Sequence, residues 1–84
     1  MDTLLATTIA ESVVRDGFDA RRHDVAELLD AARTAGVSDV LTDIVADEHE
    51  PRAVRERALG HVVLRLARSS RRDDAARSTF VVAA

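Results

Sequence analysis

The most regular run of side chains able to do chemistry lies at residues 57–72, where Arg57, His61, Arg65, Arg68 and Arg72 recur at spacings of three and four. On a helix turning 100° per residue these five fall within about 80° of one another, forming one cationic stripe about four turns long. Such a stripe can grip an acidic partner helix or follow a run of phosphates. No aromatic side chains interleave with it, so stacking on single-stranded bases has no support. The plainest expectation is a solvated face, partly paired with the acids of the preceding helix.

A second concentration, Asp47-Glu48-His49-Glu50, has the donor atoms of a metal site but not the spacing. Neighbouring residues on a helix or turn point in different directions, whereas dedicated sites use convergent patterns such as two His four apart. A solvated helix terminus is expected there, with His23 and His61 also at the surface. Cysteine is absent, which removes thiolate nucleophiles, disulfides and zinc–sulfur ligation. Gly17, Gly36 and Gly60 stand alone, so no glycine-rich loop cradles phosphate, and no Ser sits in a Gly-flanked elbow. These observations predict a protein without metal or cofactor that is not an enzyme.

The elements that must position these groups follow from apolar periodicity. Leu5, Ile9 and Val13 predict a first helix over about 3–15, capped by Asp2 or Thr3 and ended by Gly17. Asp24 and Glu27 have capping-box spacing, and Val25, Leu28, Leu29 and Ala32 give the second helix its stripe before Gly36 stops it. The third is expected to begin at Ser38, with Val40, Leu41, Ile44 and Val45 on one side and Asp39, Asp43 and Asp47 on another. Pro51 suits the first turn of a fourth helix, about 51–69, whose apolar stripe is Ala58, Leu59, Val62, Val63 and Leu66. A lapse is expected at Ser69-Ser70, with a fifth helix from Asp73, although Ser78-Thr79-Phe80-Val81-Val82 also has the composition of a strand. The mostly apolar tail Thr79–Ala84 either packs back as core or offers a patch to another subunit. Short connectors favour antiparallel neighbours. The fold class expected is therefore all-α, a small antiparallel helical bundle or two stacked helical hairpins of four to five helices, in a single helical domain spanning 1–84.

Residues 38–68 resemble one HEAT-type repeat. The resemblance is carried by Leu41, Ile44 and Val45 on a first helix, then Asp47 and Pro51 in the turn, the pair Val54-Arg55, and Ala58-Leu59 with Leu66 on a second helix. It covers about a third of the chain. It implies a helical hairpin whose apolar edge a neighbour must cover, in a protein-binding scaffold with no catalytic residues. The pair of helices at 3–15 and 24–35 matches the pattern poorly. Two repeats fall short of the roughly three that close such a core, which points to self-association.

The net charge of −3 conceals a division of the chain. Residues 1–50 hold four Arg against twelve acids, a balance of −8, while residues 51–84 hold eight Arg against three acids, a balance of +5. A helix-turn-helix over 28–45 is rejected, because the would-be recognition helix carries Asp39, Asp43, Asp47 and Glu48 and no basic residue. The opening Met1-Asp2-Thr3-Leu4 lacks a basic segment ahead of a long apolar run, and no stretch approaches the ~18 apolar residues of a membrane span. A cytoplasmic location is expected, the use of Arg for every basic residue suggests a G+C-rich genome, and a small adaptor of this kind suits a phage or bacterium. The expected function is a non-catalytic protein–protein interaction module (a small adaptor, regulator or inhibitor), homodimeric and using Arg57, His61, Arg65, Arg68 and Arg72. The alternative is a nucleic-acid-binding regulator using the same Arg-rich face of the helix at 51–69.

Overall fold

The computed structural model describes the backbone of residues 1–83 and side chains as far as Ser69. Four helices follow in order: α1 (Thr3–Asp16), α2 (Arg22–Thr34), α3 (Asp39–Ala46) and α4 (Arg52–Ala83). No strand occurs among the described residues. The protein is a small all-α helical bundle. Helix α4 touches each of the other three, most extensively α3 and then α1.

Each of the first three helices is delimited by local chemistry. Asp2 Oδ1 accepts from the Leu4 amide at 3.4 Å to open α1, and Gly17, at φ 94°, closes it by donating to the Val13 carbonyl at 2.7 Å. Helix α2 ends in a Schellman arrangement. Gly36, at φ 84°, donates to Arg33 O at 3.1 Å, and Val37 donates to Ala32 O at 2.9 Å. Val37 and Ala32 are both buried, which supplies the apolar contact that accompanies this motif. Ser38 Oγ then accepts from the Val40 amide at 3.3 Å and opens α3 at the expected residue.

The start of α2 differs from the capping-box expectation. It begins at Arg22, with Arg21 in the cap position making no side-chain bond, and Asp24 lies inside the first turn. The cause is the preceding turn, in which the Arg21 amide reaches Phe18 O at 3.3 Å. Phe18 is buried, so this turn is anchored and the chain enters the helix early. Asp24 still complements the positive end of the helix dipole.

The core is lined by Ala6, Ile9 and Val13 from α1, Val25, Leu28, Leu29 and Ala32 from α2, Val45 from α3, and Ala58, Leu59, Val62 and Leu66 from α4, with Phe18 and Val37 from the loops. Two expectations about its edges fail. Leu5 is 50 % exposed and Ala6 lies inside, since the face through Ala6, Ile9 and Val13 places a small side chain where close approach is needed. Val40 is 67 % exposed while Thr42 is fully buried. The Thr42 hydroxyl donates to the Asp39 carbonyl at 3.1 Å, so its polar atom is satisfied and α3 can turn that face inward. Burial of Leu59, Val62 and Leu66 contributes about 1.5–3 kcal/mol each.

Helix α4 also exceeds the expected 51–69. It runs unbroken for 32 residues, without a lapse at Ser69-Ser70 or a separate fifth helix. Serine is disfavoured in a helix by only about half a kcal/mol, and no Gly or Pro follows Gly60 to interrupt the run. Arg72 and the tail from Thr79 belong to the part whose side chains lie outside the described residues.

Candidate functional site

Helix α4 presents arginines in two different settings. In its first turns, Pro51 O receives the amides of Val54 at 3.0 Å and Arg55 at 3.1 Å, which fixes the direction in which the helix leaves α3. Arg55 Nε donates to Val45 O at 3.0 Å, and Arg52 Nη2 donates to Val14 O at 2.7 Å. These two side chains satisfy carbonyls near the C-terminal ends of α3 and α1, where carbonyls lack helical partners. Arg52 also meets Glu56 at 2.8 Å. The Arg55 guanidinium lies 4.0 Å from the centroid of the Phe18 ring, a cation–π contact that ties the α1–α2 loop to α4.

Farther along, Arg57, His61, Arg65 and Arg68 are all exposed, as expected of the stripe. Fold and stripe are linked by phase. The buried Ala58, Leu59, Val62 and Leu66 occupy one flank of the helix, so the residues between them turn outward. Among the described residues the ion pairs are Asp16 with Arg15 and Arg21, Arg33 with Asp30 and Asp43, and Arg52 with Glu56. None contains Arg57, Arg65 or Arg68. Among the described residues the acids of α3 therefore make no ion pair with the stripe. Asp43 is directed to α2, 4.0 Å from Arg33. Asp47 Oδ1 instead receives the His49 amide at 2.9 Å within the α3–α4 loop.

The cationic face has apolar company. Val54, 41 % exposed, shares its helical direction, and Leu64, 46 % exposed, borders it. Arg65 and Arg68, with Ser69, also line a cleft of about 140 Å³ against the α2–α3 turn, Ala35 to Ser38. Guanidiniums around exposed aliphatic side chains make a composition suited to protein contact, in which Arg is enriched.

A second concavity was not foreseen from the sequence. Phe18, Val25, Leu29 and Val45 form the apolar wall of a cleft of about 210 Å³, bordered by Asp19, Arg22, Glu48 and Arg55. Beside it is a shallow polar hollow of about 400 Å³, which reaches Asp16, Glu50 and Arg52. The signal available in the sequence was weak, a single aromatic residue inside a polar connector. The Asp16 carboxyl at its edge is held below the ordinary carboxylate range by hydrogen bonds from Arg15 and Arg21. That effect favours an acceptor committed to its two guanidiniums rather than a proton donor. Within Asp47-Glu48-His49-Glu50, Asp47 serves the loop backbone, and among the described residues no three His, Asp or Glu side chains gather as a metal site would require.

No described helix is long and apolar enough to cross a membrane. Comparison with known protein families, with curated proteins and with solved structures yields no match to this chain.

Proposed function

We propose that this chain is a non-catalytic helical interaction module, a small adaptor, regulator or inhibitor, which docks on an acidic protein surface through the outward face of α4. The observation that carries this reading is the exposure of Arg57, Arg65 and Arg68 without an acidic partner among the described residues. The exposed Val54 and Leu64 support it, because protein interfaces set apolar contacts inside a polar rim. We read the α3–α4 hairpin as HEAT-type. The bond from Arg55 to Val45 O supports that reading by joining the two helices at the family's Val-Arg position.

Nucleic acid is the weaker occupant of the same face. Arg65 and Arg68 border the turn that joins α2 and α3, and those two helices carry the exposed acids Asp30 and Asp43, whose charge weighs against a phosphate backbone there. Affinity capture from the native host, comparing the wild-type chain with an Arg57→Glu/Arg65→Glu/Arg68→Glu variant, tests the proposal. A protein recovered by the wild type and lost by the variant is the expected result. Recovery that is the same for both overturns it, as does recovery abolished by nuclease.

A further inference from the structure

The turn between α2 and α3 joins two helices that carry exposed acids and is bordered by arginines of α4. Arg65 and Arg68 line the cleft against Ala35, Gly36, Val37 and Ser38. Arg33, two residues before Ala35 in the chain, lies 3.7 Å from Asp30 on α2 and 4.0 Å from Asp43 on α3. Asp30 and Asp43 are largely exposed, and Glu27, a turn before Asp30 on α2, is exposed as well. The acidic surface is thus partly compensated by one arginine, while Arg65 and Arg68 have no acid within ion-pair distance among the described residues. Arg65 and Arg68 thus border the turn that joins the two acid-bearing helices, and among the described residues no ion pair links them to those acids.

From this juxtaposition we infer that the acidic partner of the α4 face is a second copy of this chain. A two-fold axis beside the Ala35–Ser38 turn sets Arg65 and Arg68 of each copy against Glu27, Asp30 and Asp43 of the other. Such an interface is isologous, so both charge matches form at once and the assembly closes as a dimer. Val40 at the start of α3 and Leu64 beside Arg65 are the exposed apolar side chains closest in sequence to these groups, and they supply contact that charge alone lacks. The charge division between residues 1–50 and 51–84 then has a physical consequence, because each copy carries both halves of a complementary pair. This inference rests on the reading of the α4 face as a protein-docking surface and names the protein.

A charge-swap experiment tests it. Sedimentation equilibrium is recorded for the wild type, for Arg65→Glu/Arg68→Glu, for Asp30→Arg/Asp43→Arg, and for an equimolar mixture of the two variants. Circular dichroism confirms that each remains helical. The expected result is a wild-type dimer that weakens as salt is raised from about 0.05 M to about 1 M, where charges are screened within about 3 Å. Each variant alone should dimerise at least tenfold more weakly, and the mixture should recover a one-to-one dimer. A wild type that stays monomeric at low salt overturns the inference, and so do variants that self-associate as the wild type does. If the wild type is monomeric but host capture still depends on Arg57, Arg65 and Arg68, self-pairing fails and the docking reading stands. Loss of that dependence removes both.

Discussion

Arg55 and Arg65 lie ten residues apart on one helix and do opposite things. Arg55 is half-buried, donates to Val45 O and covers the Phe18 ring, so its charge holds α3, α4 and the α1–α2 loop together. Arg65 is exposed and has no acid partner among the described residues. The difference is one of direction, set by the phase of each position relative to the buried flank of α4. A guanidinium aimed along the core edge meets orphan carbonyls at the ends of α1 and α3, whereas one aimed outward meets only water or a partner. Residue type therefore predicts neither setting, and the contrast separates an arginine engaged within the fold from one turned to solvent on the same helix.

The largest effect expected is on the tied set. Arg55→Ala removes a charge-assisted bond to a helix-end carbonyl and a cation–π contact, and should lower stability by about 1–3 kcal/mol. Urea denaturation followed by circular dichroism measures it, and a shift under half a kcal/mol would erase the distinction. A smaller effect should attend the outward set. Arg65→Ala/Arg68→Ala should change stability by no more than about 0.5 kcal/mol, in keeping with exposed positions, while weakening self-association in sedimentation. A large loss of stability would show that these arginines are structural after all.

The smallest effect concerns Asp16, which forms a third setting for arginine in the acidic half. Hydrogen bonds from Arg15 and then Arg21 depress its carboxyl, so the folded form holds the charge more firmly than the unfolded chain does. The contribution is present above the ordinary carboxylate value near 3.8 and fades as pH falls through the lower folded value. The stability difference between wild type and Asp16→Asn should therefore shrink on acidification below about pH 4. Its size is modest because the pair is exposed to solvent. A difference that stays constant from neutral to acid pH would show that these contacts carry no weight.

Much of this protein was legible from residues alone. Asp2, Gly17, Gly36, Ser38 and Pro51 act within two to four residues of themselves, through caps and turns, so their effects need no knowledge of the rest of the chain. The apolar stripes of α2 and α4 repeat often enough to define one inward flank each, and the outward position of Arg57, His61, Arg65 and Arg68 follows from that same phase. What the order of residues left open was decided by packing. Ala6 rather than Leu5, and Thr42 rather than Val40, face inward because neighbouring helices set how close a side chain can come and whether its hydroxyl finds a carbonyl. Phe18 moves the start of α2 by anchoring a turn, and Arg52 and Arg55 reach carbonyls at 2.7 and 3.0 Å that lie 38 and 10 residues away in the chain. Periodicity sees only the angle around one axis; which groups meet across axes depends on where the other helices lie.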